Sequence, residues 1–360
     1  MSYFQSFQDV MNEDNAGIDF PVDRLNSIIP GIQKQRIYVA GAGSGVGKTK
    51  FTLEFFVFNT FDDWYFSDRT DSINIHVFSL EVPKEEVIAS LAARWLYKQH
   101  KILVDYGYIL NYWKKYPMTE YVKDLLKSDE FKLYLEKFEE TVKILDFSLN
   151  TVSFAQYVDG IAKEQGEILT KQVVTKDNVT LNMFESYTPV NKDTYNIFVL
   201  DHIGLVKTIS GQDKRKMIED IADYQIKARN RYRFTFCNTQ QLNRGSNSVE
   251  RHKLEDLIVK DSDFAGGSGL FNAANVVIGL MSPNREQQSS FMGFRVANSD
   301  LQPGLGNRLT VLNVVKNRHG SAFGVLPMLF LGEIGLYSAL PRDPEGFDYN
   351  QISNIKKYYE

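Results

Sequence analysis

Residues 37–49, IYVAGAGSGVGKT, carry an apolar strand straight into a glycine-rich loop that closes on Gly47-Lys48-Thr49. Few segments of this length constrain a fold so tightly. The loop residues Gly41, Ala42, Gly43, Ser44, Gly45 and Gly47 are small, so backbone N–H groups can curl around a phosphate without Cβ clashes. A helix from about Lys48 would aim its positive N-terminal end at the same phosphate. Lys48 would reach the β- and γ-phosphates as a point charge, and the Thr49 hydroxyl would sit on Mg²⁺. The expected nucleotide-binding set is Gly43, Ser44, Gly45, Val46, Gly47, Lys48, Thr49 and Lys50. The pattern usually opens with Gly; here Ala42 stands in that place. A strand–loop–helix unit of this kind demands an α/β fold and a nucleoside triphosphate.

The rest of the chain agrees with that class. Apolar strand signals recur at 37–40, 73–80, 195–206, 234–239 and 275–280, with helical patterns at Lys48–Phe58, Lys84–Gln99 and Met217–Asn230 between them. Strands alternating with helices predict a mostly parallel sheet covered by helices on both faces. Segments 290–297, 309–316 and 325–331, separated by Gly, Asn and Pro, predict antiparallel C-terminal strands. Residues 100–144, rich in Lys, Tyr and Glu, and a hairpin pattern at 168–190 read as insertions into the core. At the N-terminus, Tyr3, Phe4, Phe7, Val10 and Met11 form one apolar helical face before the polar break NEDNAG. The domain plan is a linker helix at 1–17, an ATPase domain at 18–340 and a tail at 341–360.

With 360 residues, 43% of them hydrophobic, the chain can bury a sizeable core. No apolar run approaches the roughly 20 residues of a membrane span, and MSYFQSFQDV is neither a signal nor a transit peptide. The single cysteine, Cys237, excludes an internal disulfide, and no His/Cys cluster has zinc spacing. A cytoplasmic location is expected. The net charge of −4 hides a basic stretch from Lys207 to Lys260, with 12 Lys/Arg against 7 Asp/Glu, that could meet phosphates.

Four further segments carry chemistry. Asp201 ends the apolar strand of IFVLDHIGLV, where open α/β sheets bind ligands and a carboxylate can hold a Mg²⁺ shell. Glu81, in HVFSLEVPKEEV, also ends a strand and can orient or deprotonate the attacking water. Gln241, in FTFCNTQQLNRG, can sense the γ-phosphate by hydrogen bonding. Lys316 and Arg318, two apart in VLNVVKNRHGSAFG, share a strand face, and a guanidinium there can spread transition-state charge.

In this order the segments resemble the ATPase domain of DnaB-like replicative helicases, the hexameric branch of the RecA-fold motors. The resemblance spans about residues 18–340 outside the insertions and rests on GSGVGKT at 43–49, FSLEVP at 78–83, VLDHIGLV at 199–206, QLNRG at 241–245 and KNRHG at 316–320. It implies a RecA-like P-loop fold, ATP and Mg²⁺ as cofactors, and a DNA-stimulated ATPase in a homohexameric ring that unwinds duplex DNA. By the same resemblance, Lys48 and Thr49 are the phosphate-loop pair, Glu81 the catalytic glutamate, Asp201 the magnesium-associated aspartate and Gln241 the motif glutamine. Lys316 and Arg318 match the lysine and arginine finger that reach a neighbouring subunit's nucleotide. The Phe4/Phe7/Met11 helix fits the linker helix that docks on the next subunit. Implied partners are single-stranded DNA at a replication fork, further copies of the chain, and a separate primase and helicase loader.

Two departures stand out. Gly266 and Gly267 occupy the place of a frequent Arg-Glu pair, and 120 residues separate Glu81 from Asp201. Two loops would face the ring centre: 206–217, with Lys207, Lys214, Arg215 and Lys216, and Arg244–Gly269, with Arg251, Lys253, Gly266, Gly267, Ser268 and Gly269. They are expected to touch sugar–phosphate rather than bases. The competing readings are a RecA/RadA-type recombinase and a KaiC-like regulatory ring without DNA unwinding.

Overall fold

The computed structural model describes residues 4, 7, 8, 11, 17–112, 117–174, 178–242, 257–298, 303–322 and 324–353. Its strands in chain order are β1 Ile37–Ala42, β2 Ile73–Ser79, β3 Val142–Leu145, β4 Gly166–Val174, β5 Thr180–Pro189, β6 Tyr195–Asp201 and β7 Thr235–Gln241. They continue with β8 Val276–Met281, β9 Ser290–Phe291, β10 Phe294–Arg295, β11 Leu309–Asn317, β12 Val325–Leu331 and β13 Leu336–Ala339. Nine of them build one sheet in the order β13-β12-β11-β8-β1-β7-β6-β2-β3. The six strands from β8 to β3 run parallel; β11, β12 and β13 are antiparallel. This is the expected mostly parallel sheet with antiparallel C-terminal strands, a RecA-like fold.

Strand β1 lies in the middle and is buried along its whole length, so its apolar run needs no alternation. Its two faces feed two cores. On one side, the helix Lys48–Leu53 runs through a π-helical turn, Glu54–Phe58, into the helix Asn59–Phe66. Phe51, Phe55 and Phe56 from this run pack with Phe20 and Tyr38, each fully buried ring contributing about 1.5–3 kcal/mol over exposure. On the other side, Met217, Ile221 and Ala228 of the helix Lys214–Tyr232 cover Val39, Phe198 and Phe236.

The segment 100–144, expected as an insertion beside the core, instead enters it. Its last strand, β3, extends the main sheet by pairing in parallel with β2. The preceding helix, Asp129–Thr141, presents Tyr134 and Phe138 to Phe61. The amphipathic face of that helix, legible in the sequence, covers the sheet itself rather than an outlying module. The 168–190 pattern does form a hairpin, β4–β5, in a separate two-stranded sheet with an irregularity at Leu169/Thr170. Segment 290–297 yields only the two-residue strands β9 and β10, outside the main sheet. Strand β13 went unforeseen. Residues after 341 are not detached either, since Phe347 and Tyr349 pack around buried Phe294. Phe4, Phe7 and Met11 are helical and exposed at 67, 60 and 69%. No described helix is long and apolar enough to cross a membrane.

One buried group makes stability pH-dependent. His76, 5% exposed on β2, stacks on Phe198 at 4.9 Å, and its Nδ1 lies 2.9 Å from the Tyr157 hydroxyl. Burial, reinforced by Lys143, lowers its pKa to about 4. The folded state therefore keeps the ring neutral, whereas the unfolded chain protonates it near 6.5. Stability from this group is complete above pH 6.5 and falls by about 3 kcal/mol as the pH drops to 4. Urea unfolding of the native chain and of His76→Phe at pH 7 and pH 4.5 checks it: the variant should lose visibly less on acidification.

Candidate nucleotide site

Strands β1, β2, β6 and β7 all end at the same edge of the sheet, and the segments that leave them converge there. After Ala42 the chain turns through Gly45 at φ +70° and Gly47 at φ +99°, left-handed conformations that side chains resist. Gly47 caps the helix that opens with Lys48 and Thr49, as the loop pattern requires. Lys48 Nζ lies 3.4 Å from the Gly43 carbonyl oxygen. Burial lowers its pKa, while Glu81 and Asp201 oppose the shift. All eight expected nucleotide-binding residues thus sit in the loop and the first turn. Lys50 points away from the loop: its Nζ donates to Ser90 Oγ at 2.8 Å and lies 4.0 Å from the Tyr106 ring centroid.

Asp201, the last residue of β6, is directly paired with Ser79 of β2. It is 2% exposed, and its pKa rises to about 6, chiefly through burial; hydrogen bonding to Thr49 and Thr239 opposes the rise. One carboxylate oxygen, Oδ1, is buried with no protein partner. A buried orphan acceptor beside the Thr49 hydroxyl fits a divalent cation bound to hydroxyl and carboxylate oxygen. Glu81 follows β2 with its side chain 54% exposed, its Oε2 3.9 Å from His202 Nε2. His202 Nδ1 accepts the Gly204 N–H at 3.2 Å, so the neutral ring carries its proton on Nε2, facing Glu81. Gln241 ends β7 opposite Ala42 and is exposed beside the loop.

Some contributors lay outside any motif. The Tyr337 hydroxyl of β13 donates to the Gly47 carbonyl at 3.2 Å. Arg285, in the loop after β8, rests its guanidinium on Gly45, where an added Cβ would come within 2.6 Å of it. Thr239 was equally hidden; its hydroxyl is 2.6 Å from that of Thr52. Nothing in a single sequence points to an arginine or a tyrosine from these distant segments.

Lys316 and Arg318 do not join this edge. Strand β11 is antiparallel to β8, and Lys316 pairs with Val277, near the start of β8. The Arg318 N–H donates to the Asn275 carbonyl, whose own N–H donates to Ile37 at the start of β1. Five strand steps, roughly 17 Å, separate that level from Ala42. The two cations nonetheless share a face, as expected: Lys316 Nζ bonds the Phe271 and Asn272 carbonyls, and Arg318 Nη2 bonds the latter.

The candidate DNA residues divide. Lys207 is exposed, its N–H tied to Leu149. Lys214, Arg215 and Lys216, expected in a loop, form instead the first turn of the helix Lys214–Tyr232, capped by Asp213. Asp213 is an ordinary N-cap, a signal hidden by the basic run. Arg215 and Lys216 pair with Glu219 and Asp220 at 3.1 and 2.8 Å. Gly266 is exposed in the 3₁₀ turn Asp261–Gly267. Gly267 and Gly269 have packing reasons, against the side chains of Gln240 and Glu219, and Ser268 starts the short helix Ser268–Ala273. Arg244, Arg251 and Lys253 lie outside the described residues.

A nine-stranded sheet with this loop and these strand ends defines a P-loop nucleotide-binding domain of the RecA-like class. No protein-family model and no curated protein matches the sequence. Solved structures do match. The chain is similar to an ATPase domain from a DnaB-like helicase, with 14% identity and a TM-score of 0.65 over 94% of this chain and 97% of the other. It is also similar to a DnaB-like replicative helicase, solved to show its interactions with primase, with 15% identity and a TM-score of 0.64 over 94% and 68%. A KaiC-like protein from Pyrococcus horikoshii overlaps with 13% identity and a TM-score of 0.48, over 91% and 99%. The chain therefore has the fold of DnaB-like helicase ATPase domains.

Proposed function

We propose that the chain is the ATPase motor of a DnaB-like replicative DNA helicase, a ring that couples ATP hydrolysis to movement along single-stranded DNA and to duplex unwinding. The observation that carries this reading is the division of the site. The phosphate loop, Asp201, Glu81 and Gln241 meet at one edge of the sheet, while Lys316 and Arg318 lie at its far end. Such a site is complete only between two copies. The motif order and the shared fold support the same conclusion.

In this reading the N–H groups of Gly43–Thr49 and Lys48 hold the β- and γ-phosphates of ATP. Thr49 and Asp201 hold Mg²⁺, which neutralises developing phosphate charge. Glu81 takes the proton of the attacking water, and its exposed carboxylate beside His202 is free to do so. Gln241 reports the γ-phosphate. The neighbouring Gln240 presses on Gly267 and donates to the Phe264 carbonyl at 3.5 Å, which links the nucleotide edge to a candidate DNA segment. Lys207, Lys214 and Gly266 are the exposed candidates for the strand's phosphates. A cytoplasmic location, a homohexameric ring, and primase and loader as partners belong to the same proposal. So does the domain plan, with residues 1–17 docking on the next copy.

The test is steady-state ATP hydrolysis at fixed salt, with and without single-stranded DNA, over a range of protein concentrations. Turnover that rises cooperatively with protein and is stimulated by DNA is the expected result. A DNA-indifferent rate would move the reading to a regulatory ring. Glu81→Gln should bind ATP normally and hydrolyse it about 10²–10⁴-fold more slowly, since only proton acceptance is lost; normal turnover would remove Glu81 from the chemistry. Lys207→Ala combined with Lys214→Ala should weaken single-strand affinity and flatten its salt dependence by about two units of slope at most. An unchanged slope would exclude both residues from the DNA path.

A further inference from the structure

Cations gather without acids at the end of the sheet far from the phosphate loop. The centre of this cluster is Asn275. Its Oδ1 accepts the Ile37 N–H and Arg229 Nη1, each at 2.9 Å, and its amide lies 3.3 Å from His319 Nε2. Its backbone carbonyl takes the Arg318 N–H. Arg229 comes from the last turn of the helix Lys214–Tyr232, and Arg36 immediately precedes β1. Burial and then the charges of Arg318 and Arg36 lower the pKa of Arg229; burial, Arg36, Arg318 and Arg229 lower that of His319. Among the described residues, no carboxylate pairs with Arg36, Arg229, Lys316 or Arg318. Arg36 Nε is buried and bonds nothing.

Holding like charges together costs free energy unless an anion offsets it. Helix C-termini account for part of the cluster. Lys316 and Arg318 sit on the last carbonyls of the Ser268–Ala273 helix, and a cation is favoured near the end of Arg229's own helix. They do not account for Arg36, nor for three guanidinium groups around one asparagine. Guanidinium forks match phosphate oxygens in shape and charge.

We propose that Arg36 and Arg229 complete, with Lys316 and Arg318, a polyphosphate-receiving face whose occupant is the triphosphate held on the phosphate loop of a second copy. The inference rests on the two-copy site proposed above and extends it by two guanidinium groups from outside the KNRHG segment. Docking of the neighbour's nucleotide relieves the mutual repulsion of the cluster, so association between copies is strengthened by bound triphosphate and weakened by salt.

Arg36→Gln, Arg229→Gln and Arg229→Lys are compared at saturating ATP and at protein concentrations that support assembly. Binding of a fluorescent ATP analogue to dilute protein should be unchanged, because each copy's own loop is distant. The kcat of both glutamine variants should fall about tenfold to hundredfold, the range of one charge-assisted hydrogen bond, with little change in KM. Arg229→Lys should recover part of the loss. Mixing Arg229→Gln with Lys48→Ala protein should restore turnover partially, because the second protein brings an intact receiving face. Unchanged kcat in both glutamine variants, with Arg318→Ala impaired, would overturn the proposal. Normal turnover in Arg318→Ala as well would show that the two-copy site itself is wrong. A loss in Arg229→Gln that tracks a lower melting temperature and resists mixing would reduce Arg229 to an anchor for Asn275. Arg36→Gln, which removes no bond to Asn275, then decides: unchanged kcat there overturns the proposal, and a loss rescued by mixing upholds it.

Discussion

Arg318→Ala should bind ATP as the native chain does and turn it over about 10³–10⁵-fold more slowly, the range of an arginine finger. The two halves of this expectation come from the topology. The Arg318 backbone is held at the level of Ile37 and Asn275, at the opposite end of β1 from the loop that would hold ATP. Removing its side chain leaves Gly43–Thr49 untouched, so binding survives. Turnover falls because the charge that would balance the transition state on the neighbour's phosphate is gone. In the isolated chain that guanidinium is parked on the Asn272 carbonyl, a contact it must exchange for phosphate. Mixing Arg318→Ala with Lys48→Ala protein, each inactive alone, should restore a fraction of turnover where a Lys48→Ala copy supplies Arg318 to an intact loop. Mixed assemblies that form and remain inactive would count against action in trans.

Arg94→Ala should destabilise the fold by about 3–5 kcal/mol, the penalty for stranding a buried charge. Against a total of roughly 5–15 kcal/mol, that is enough to make the variant melt far below the native chain or fail to fold. Arg94 is fully buried; its Nε and Nη2 meet both oxygens of Glu54, and its Nη1 meets Asp62. Asp62 keeps Lys98 and the Tyr134 hydroxyl, each at 2.8 Å, but Glu54, 1% exposed, keeps no countercharge. The cluster ties the π-helical turn behind the phosphate loop to the helices Lys84–His100 and Asp129–Thr141. Glu54→Gln with Arg94→Met should recover much of the loss, since no unpaired charge remains. Denaturant unfolding of both variants is the check, and equal destabilisation would mean that packing, not charge, sets the cost.

The local half of the nucleotide site was legible in the chain because its chemistry is contiguous. A phosphate loop needs small residues, a lysine and a hydroxyl within a few positions, so 43–49 could be read without a fold. Asp201, Glu81 and Gln241 were legible because each closes an apolar strand, and strand ends are where parallel sheets present ligands. The parallel core followed from the same alternation of strands and helices. By contrast, segment 100–144 looked peripheral because its polar helix carries one apolar stripe, and only packing shows that the stripe covers the sheet. The basic run 214–216 looked like a loop because its cap, Asp213, is a single residue in a polar stretch.

Taken alone, the sequence determined the class of fold, the phosphate loop and the carboxylates at the strand ends, since these depend on neighbours within one short segment. The tertiary structure decided what depends on residues far apart in the chain. It brought Arg285 and Tyr337 against the loop and built the buried charge cluster on Arg94. It also carried Lys316 and Arg318 to the far end of the sheet, because β11 runs antiparallel to β8. Strand direction is a property of the assembled sheet, and it leaves the two cations facing away from their own nucleotide.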